Sequence, residues 1–371
     1  MKILFWTESF WPYIGGVETL AARLLPQLKK KGHEFIIVTG HHHYDLPDKD
    51  TFQDIPVYRF RFRQIIEDKS IYEMFSIQKK IGTLKHRFQP DLIHLNMFGP
   101  GTWFYLKTEK DFPSPLLITM HCGLEGLYHQ EDSLIQKAIH SASWITSCSR
   151  AIQNDLHTEF PQLSSQSSVI YNGMDTPKLD ISAPDFDHPK ILCIGRLVRD
   201  KGIDIALEAW QQIYHKYPNA QMLIAGDGIE RQNLEDLVKS SRMTSTVKFL
   251  GWVNPDNILR LINESTMVIV PSRWKEPFCL VALEAAMMKR PVVASRVGGL
   301  PEVVDHNTTG ILVKNESRDG FVSAISFLLD NPQNAMVLGE NARFRATNKF
   351  GWQRCVDSYD QIYKEIIGRQ E

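Results

Sequence analysis

A chain of 371 residues is too long for one ordinary hydrophobic core, so two domains are expected. Its content of 43% hydrophobic and 23% charged residues is that of a soluble globular protein, and its net charge of −1 gives no electrostatic basis for binding nucleic acid. The five cysteines form no C-x-x-C pair, which argues against a zinc site or a disulfide framework. No apolar run reaches the roughly 20 residues of a membrane span, and the amino terminus lacks a signal-peptide pattern, so a cytoplasmic protein is expected.

Short apolar runs alternate with amphipathic stretches in the first half of the chain, which predicts a parallel sheet with helices on both faces. The first strand, 2–6, is followed by a loop that ends in Gly15 and Gly16, ahead of a predicted helix. Two glycines at such a turn allow the backbone to approach a ligand closely, although an isolated Gly-Gly more often marks a simple turn. Further strands are expected at 34–39, 91–96, 116–121 and 145–149.

Histidines occur at two places where they could carry chemistry. The triplet 41–43 follows a predicted strand, but three adjacent side chains cannot easily converge on one ion, so no metal site is predicted there. His121 ends the 116–121 strand, on the side of a parallel sheet where ligands bind. A lone histidine at a strand end is nonetheless more often structural than catalytic.

A basic pattern follows in the first half. Arg59, Arg61 and Arg63 alternate with phenylalanines, which predicts a strand with one basic face and one aromatic face. One interpretation is an edge strand whose charges resist pairing with another sheet, and the other is a patch for anionic acceptors or lipid headgroups. A predicted helix at 71–88 would extend this patch with its own cations, Lys79, Lys80, Lys85 and Arg87.

Residues 176–189 are rich in proline and aspartate, without periodicity, and are predicted to link the two domains. The alternation of strands and helices then restarts. A strand at 191–194 leads to Arg196 and, after a short loop, to Lys201. Two cations beyond a strand end, flanked by glycines, are suited to a diphosphate because each neutralises charge on a leaving group. Two solvated surface cations are the alternative.

Gly226 and Gly228 follow the next predicted strand and supply two of the three glycines of the dinucleotide-binding fingerprint. Arg231 stands where the third glycine belongs. No acidic residue ends the strand at 247–250, where a ribose-binding acid would lie. A nicotinamide-dependent dehydrogenase is therefore poorly supported.

The stretch 271–302 has the most specific pattern in the chain. A buried strand leads through a loop containing Glu276 and Pro277 into a predicted helix at 280–289, and a further strand follows at once. Ligands bind at the loop beyond the carboxyl end of such a strand, and a helix that starts near Pro277 would favour a phosphate nearby. Glu276 and Glu284 could each hold sugar hydroxyls. A loop acid and a solvated helix acid are the alternative.

The motifs E-P-F-x-L-V-x-L-E-A-x, P-V-V-A-S and G-G-L-P-E of this stretch resemble the donor site of the retaining nucleotide-sugar glycosyltransferases of family 4. The resemblance covers essentially the whole chain, since G-G-x-E at 15–18, G-R-L…K-G at 195–202 and N-G-x-D at 172–175 are also patterns of that family. It implies an α/β protein of GT-B architecture, with two facing Rossmann-like domains, parallel sheets and an active-site cleft between the domains. Cys279 stands where the family usually has glycine and adds a side chain close to the donor.

The resemblance implies a role for each motif residue. Glu276 and His121 would orient the donor sugar, Glu284 would bind the ribose, and the two cations would bind the diphosphate together with the Gly15-Gly16 loop. The implied catalytic residues are His121, Glu276, Arg196 and Lys201. The implied donor-binding residues are Gly15, Gly16, Arg196, Lys201, Gly226, Gly228, Val253, Glu276, Phe278, Cys279, Leu280 and Glu284. No metal ligand is expected, and no cofactor besides the nucleoside diphosphate sugar that serves as donor.

The implied function is retaining transfer of a hexose-type sugar from a UDP- or GDP-sugar to a hydroxyl of a glycan, lipid or small molecule, as in polysaccharide or glycolipid biosynthesis. A nucleotide-sugar epimerase of the same fold and a non-catalytic nucleotide-sugar-binding protein are the alternatives. The expected location is cytoplasmic, with peripheral contact at the inner face of the membrane left open. The expected divisions are an acceptor-side domain at 1–178, a linker at 179–189, a nucleotide-sugar domain at 190–349, and a helix at 350–371 that crosses back to the first domain.

Overall fold

The chain forms two compact units, each built on one sheet, in a computed structural model. The first unit is Met1–Tyr171 together with Cys355–Glu371, and the second is Asn172–Arg354. The residues that the structure describes are 1–13, 15–42, 45–124 and 133–369. Within these ranges, every helix is too short or too polar to span a bilayer.

The first unit has an eight-stranded sheet in which every neighbouring pair is parallel except β3 with β4. The strand order is β3-β4-β2-β1-β5-β6-β7-β8, with β1 (Lys2–Thr7), β2 (Glu34–Gly40), β3 (Lys49–Phe52), β4 (Ile55–Phe60), β5 (Leu92–Leu95), β6 (Leu116–Met120), β7 (Trp144–Ser147) and β8 (Ser167–Val169). Helices cover both faces of the central strands, which explains their continuous apolar runs. The sequence predicted β1, β2, β5, β6 and β7 to within two residues at each end, but it did not predict β3 and β8.

The helices of the first unit connect the parallel strands. They are α1 (Gly16–Lys30), α2 (Phe62–Glu67), α3 (Ile71–Phe88), α4 (Pro100–Thr108), α5 (Leu134–Ser141) and α6 (Arg150–Glu159), followed by a short 3₁₀ helix at Pro161–Gln166. In α1 a stripe of leucines is buried, Leu20, Leu24, Leu25 and Leu28, which fixes the helix on the sheet directly after the Gly15-Gly16 turn.

The second unit has a six-stranded, fully parallel sheet. Its order is β11-β10-β9-β12-β13-β14, with β9 (Lys190–Ile194), β10 (Gln221–Ala225), β11 (Val247–Gly251), β12 (Met267–Val270), β13 (Val292–Ser295) and β14 (Gly310–Val313). Its helices are α7 (Ile203–Ile213), α8 (Arg231–Ser240), α9 (Pro255–Asn263), α10 (Leu280–Met287), α11 (Leu300–Val303), α12 (Arg318–Asp330) and α13 (Pro332–Lys349), with 3₁₀ helices at Arg199–Lys201 and Tyr214–Lys216.

The last helix, α14 (Trp352–Gly368), packs with the first unit from Cys355 onwards. Buried polar contacts fix it there: Tyr363 Oη lies 2.7 Å from His94 Nδ1, and Asp360 Oδ1 lies 2.7 Å from His33 Nε2. Because these groups are buried, each hydrogen bond would be costly to leave unmade. The helix is thus held by specific contacts as well as by its apolar stripe.

The predicted basic strand of arginines is wrong. β4 ends at Phe60, and Arg61 and Arg63 belong to the turn and helix that follow. β4 also lies inside the sheet, between β3 and β2, so it is not an edge strand. Arg59 is buried, and its guanidinium pairs with Asp50 at 3.1 Å. The alternation of two residue types lasted too few residues to distinguish a strand from a strand followed by a helix.

The helix in the most specific stretch is shorter than predicted. α10 begins at Leu280, as predicted, but ends at Met287, so Glu284 lies in its second turn. Residues 176–189, predicted to link the domains, form no helix or strand and are grouped with the second unit. They are fixed by the fully buried Arg290, whose Nη2 donates to the carbonyl oxygen of Ser182 at 2.8 Å.

Candidate active site

The second unit has a topological switch point between β9 and β12, because the chain moves outward from β9 in one direction and then returns to its other side. Ligands bind at the carboxyl ends of strands at such a point. The loops that follow these two strands are in direct contact at Gly202, which has a φ of +63°, and an added Cβ there would overlap the carbonyl oxygen of Pro271. Glycine is therefore required for the two loops to meet.

This contact brings together two predicted site residues from the two loops. Lys201 Nζ, from the β9 loop, lies 2.6 Å from Glu276 Oε1, from the β12 loop. Ser272 Oγ donates a second hydrogen bond of 2.6 Å to the same carboxylate oxygen. Glu276 is only 5% exposed, so the ammonium group compensates a charge that water cannot solvate well. The sequence analysis missed Ser272, although its hydroxyl, directly after a buried strand, was a usable signal.

The Glu276 loop is supported from the far side by the glycines of the G-G-L-P-E motif. The Gly299 N–H donates to the carbonyl oxygen of Glu276 at 2.7 Å. Gly298 has a φ of +52°, and an added Cβ there would overlap the same carbonyl group. The motif that follows β13 therefore acts by shaping the loop after β12, so that the Glu276 backbone is fixed at both ends of the turn.

The start of α10 and the residues just before it contain four more predicted donor-binding residues. Cys279 is the N-cap residue, with a φ of +77° that non-glycine residues rarely adopt. Burial raises the pKa of its thiol to about 12, and Glu276 acts in the same direction, so the thiol stays protonated at neutral pH. Phe278 is buried and lies edge-on to Phe350, whereas Leu280 and Glu284 are half-buried on the helix.

The two predicted phosphate-binding cations differ in their surroundings. Lys201 is half-buried and paired, whereas Arg196 is exposed directly after β9. Among the described residues, no carboxylate forms an ion pair with Arg196. An unpaired guanidinium next to a paired ammonium leaves this sheet edge able to accept one anionic ligand without first breaking every ion pair.

Gly226 and Gly228 pack against the β9 loop instead of facing open space. An added Cβ on Gly226 would overlap the carbonyl oxygen of Gly195, and one on Gly228 would overlap that of Leu197. The two loops also exchange a backbone hydrogen bond, from Leu197 N–H to Asp227 O at 2.9 Å. These glycines therefore hold the Arg196 loop in place, and Val253 follows on the next strand's loop, half-buried.

In the first unit, the switch point lies between β1 and β5, and His121 lies one strand further, after β6. His121 Nε2 is 3.0 Å from Asn96 Oδ1, which follows β5. Because that oxygen can only accept, Nε2 carries the proton and Nδ1 presents its lone pair. Burial lowers the pKa of His121 to about 4, so the imidazole is neutral at physiological pH.

Glu8 is a second polar group at this edge, and the sequence analysis missed it. It directly follows β1 and is 7% exposed. Its Oε2 accepts a hydrogen bond of 3.1 Å from the Gly101 N–H at the start of α4, and burial raises the pKa of its carboxyl group. Its Oε1 has no hydrogen-bond partner among the described residues. The Thr7-Glu8 sequence after a buried strand was the signal that could have revealed it.

The glycine pair and the first two histidines of the triplet, His41 and His42, lie at the same edge of the first sheet. Gly15 is the N-cap of α1 and Gly16 its exposed first residue. His41 Nε2 forms a hydrogen bond with the carbonyl oxygen of Leu46, and His42 Nε2 forms one with that of Glu8. His43 lies outside the described residues. Within the described ranges, no three acidic, histidine or cysteine side chains are grouped as metal ligands would be.

Comparisons with known proteins agree along the length of the chain. Residues 14–178 match the model of Glycosyltransferase Family 4, and residues 178–345 match that of Glycosyl transferases group 1. An uncharacterized glycosyltransferase of Methanocaldococcus jannaschii is 30% identical over 403 residues, covering 100% of both proteins. Sucrose-phosphate synthase from Thermosynechococcus elongatus has a TM-score of 0.83 at 22% identity, covering 99% of both chains. Anabaena HepE, in complex with UDP and glucose, has a TM-score of 0.78 at 22% identity, covering 98% of this chain and 99% of its own.

The relative from M. jannaschii matches over its full length, and the two family models lie side by side along the chain. The structural likenesses, at 22% identity, bear on the fold alone. These matches to transferases do not favour the epimerase alternative. The predicted resemblance and the predicted fold class are confirmed: the chain belongs to the family 4 glycosyltransferases and has the GT-B fold.

Proposed function

We propose that this glycosyltransferase transfers a hexose-type sugar from a UDP- or GDP-sugar to a hydroxyl group of a glycan, lipid or small molecule, with retention of anomeric configuration. The observation that carries the proposal is the Lys201–Glu276 ion pair at the switch point of the second sheet. A donor contains a diphosphate that suits the cation and a sugar whose hydroxyls suit the carboxylate. HepE, of the same fold, is a protein whose structure contains UDP and glucose.

In this proposal, donor binding separates the Lys201–Glu276 ion pair, because the lysine binds the diphosphate of the donor and the glutamate binds its sugar. The diphosphate becomes the partner of Lys201 and Arg196, which neutralise the charge that develops on the leaving group. Glu276, already oriented by Ser272, then turns its acceptor capacity towards sugar hydroxyls. Glu284 holds the ribose. The fixed cations perform the task that a divalent metal performs in other transferases.

The neutral imidazole of His121, in the first unit, is assigned to the sugar. His121 presents an unprotonated Nδ1 because Asn96 occupies Nε2, so it can accept a hydrogen bond from a sugar hydroxyl. An uncharged imidazole does not compete with the cations for the diphosphate. Exclusion of water by the bound substrates favours transfer over hydrolysis of the donor.

A ligand screen followed by a turnover assay tests the proposal. Thermal unfolding is measured with UDP, GDP and ADP and with their glucose, N-acetylglucosamine, galactose and mannose conjugates, and a ligand at about 100 times its dissociation constant should add about 2.7 kcal/mol of stability. The donor that binds is then incubated with acceptor pools, and proton NMR of the product reports the anomeric configuration. An inverted product would reject retention, release of an epimerised sugar would support the epimerase, and binding without turnover would support a non-catalytic protein.

A further inference from the structure

Helix α3 turns an unusual set of side chains away from the first unit. Its inner face is formed by Ile77, Ile81, Phe88 and Lys85, all buried. Lys85 Nζ donates to the carbonyl oxygen of Thr108 at 2.6 Å, so this lysine is removed from the basic patch that the sequence suggested. A helix has 3.6 residues per turn, so residues three and four apart form a stripe on the outer side, opposite the buried face. This stripe runs from Tyr72 to Arg87, and Ile71 lies next to its first residue. We call these residues together the α3 surface: Ile71, Tyr72, Phe75, Ser76, Lys79, Lys80, Thr83 and Arg87.

The first turns of the α3 surface carry three exposed apolar side chains, with one exposed carboxylate, Glu73, beside them. Ile71 is 68% exposed, Tyr72 is 85% exposed and Phe75 is 65% exposed. Single exposed apolar residues are common on soluble proteins, but three large ones within five residues of one helix form a patch. Such a patch stays in water at a free-energy cost unless another phase or a partner covers it.

The following turns are basic, and their charges are not neutralised within the protein. Lys79, Lys80 and Arg87 are exposed, and no carboxylate of the described residues forms an ion pair with them or with Lys49 on β3. These four cations line a cavity of about 510 Å³ between α3 and the β3–β4 hairpin, together with Asp48 and buried Arg59. Because the whole chain has a net charge of −1, this is a local concentration of positive charge. The cavity is of a size that accepts a small polar group such as a lipid headgroup.

We propose that the α3 surface docks this protein on an anionic phospholipid membrane. Ile71, Tyr72 and Phe75 enter the interface between headgroups and acyl chains, where aromatic and aliphatic side chains are stable. Lys79 and Lys80, with the cavity behind them, bind the phosphates of the headgroups. An apolar tip followed by unpaired cations fits a membrane better than it fits a nucleic acid, which offers phosphates but no apolar phase. The inference does not rest on the proposed function, because the α3 surface contains none of the residues assigned to the donor.

Vesicle co-sedimentation of the full chain tests this inference. Vesicles are made of phosphatidylcholine alone or of an equimolar mixture with phosphatidylglycerol. We expect binding to the mixed vesicles only, weakened by added salt because the Debye length shortens. Reversing Lys79, Lys80 and Arg87 to Glu together should lower the partition coefficient by more than about a hundredfold, since the loss of each cation alone weakens binding about fivefold. The double substitution Tyr72→Ser and Phe75→Ser should lower it about tenfold.

Matched variants distinguish an effect of the α3 surface from an effect of net charge or of exposed aromatic residues elsewhere on the protein. Lys178→Glu, Arg242→Glu and Lys248→Glu make the same change in net charge at exposed positions of the second unit, and Phe344→Ser removes an aromatic ring that is 73% exposed. Both should bind vesicles like the native chain, and all variants should keep the native melting temperature and UDP affinity. Absence of vesicle binding, an equal loss in the matched variants, or RNA binding that depends on the same three cations would overturn the proposal. Failure of the native chain to bind either UDP or GDP would count against the proposed function instead.

Discussion

The carboxyl edges of the two sheets contain opposite kinds of polar site. The edge of the second sheet is charged: Lys201 pairs with Glu276 at 2.6 Å, and Arg196 is exposed in the same loop as Lys201. The edge of the first sheet is desolvated, since burial lowers the pKa of His121 to about 4 and raises the pKa of Glu8. One fold pattern therefore places an ion pair and an exposed cation at the sheet edge of one unit, and buried, poorly solvated polar groups at that of the other.

The local sequence explains this difference. In the second unit, the β9 and β12 loops carry glycines that let cations and a carboxylate approach one another, so each charge has a partner or solvent. In the first unit, the polar residues follow directly after fully buried strands, and helices cover them. Burial favours the neutral form of an ionisable group. Four experiments can break or sharpen the comparison, and we give them in order of decreasing expected effect.

Glu276→Gln should produce the largest effect on turnover. The amide keeps the shape but loses the charge that orients the sugar, and a small misplacement of the reacting carbon lowers kcat by about a hundredfold or more. Affinity for UDP should stay within about twofold, since UDP lacks the transferred sugar that Glu276 is proposed to hold, and Lys201 is released to the diphosphate. Steady-state kinetics and calorimetry measure the two quantities. The matched control is Glu264→Gln, an exposed carboxylate on α9.

Lys201→Ala should weaken the binding of the nucleoside diphosphate and of the sugar donor by a similar factor. A charge-assisted hydrogen bond contributes about 1.5–3 kcal/mol, which is roughly ten- to hundredfold in affinity. Glu284→Gln should act in the same way, because ribose is common to both ligands. Lys248→Ala, an exposed lysine of β11, is the control. If Glu276→Gln costs as much UDP affinity as Lys201→Ala, the assignment of sugar and phosphate roles is wrong.

Acid should destabilise the first unit through its buried histidines. Burial lowers the pKa of His94 to about 3, from 6.5, with His121 acting in the same direction. Below pH 6.5, His94 takes up a proton in the unfolded chain but stays unprotonated in the folded protein. The free energy of unfolding therefore decreases as the pH falls. For this group the decrease between pH 7 and pH 5 is about 2 kcal/mol.

Urea unfolding at several pH values measures this decrease. His94→Gln should flatten the pH dependence between 7 and 5, whatever it does to stability at pH 7. His188→Gln, which replaces an exposed histidine of the second unit, should leave the slope unchanged. An unaltered slope in His94→Gln would mean that the imidazole is not kept neutral by its surroundings, and the contrast between the two sheet edges would weaken.

Removal of divalent metal should have the smallest effect, with activity unchanged in excess chelator. The physical reason is that Arg196 and Lys201 are fixed cations at the edge where the diphosphate is proposed to bind. Activity is measured before and after chelation, and a variant lacking Lys201 serves as the comparison. Complete loss of activity that Mg²⁺ or Mn²⁺ restores would show that the charged edge of the second sheet is insufficient by itself.

Local sequence patterns predicted much of the fold. Short apolar runs bounded by glycine and polar residues marked the strands because a parallel strand is buried on both faces. The leucine stripe of α1 and the long helix α3 followed from periodicity, which depends only on residues three and four apart. Resemblance to a known family supplied the rest, including the roles proposed for Glu276, Glu284 and His121.

Contacts between distant segments were decided only by the tertiary structure. The Lys201–Glu276 pair and its Ser272 partner join loops 75 residues apart, and no local pattern encodes which loops meet at a switch point. Burial also reassigned charges that appear alike in sequence: Arg59 and Lys85 turn inward to partners, whereas Lys79 and Lys80 stay exposed. The sequence by itself determines which side chains each element carries, but which of them reaches solvent depends on what packs against that element.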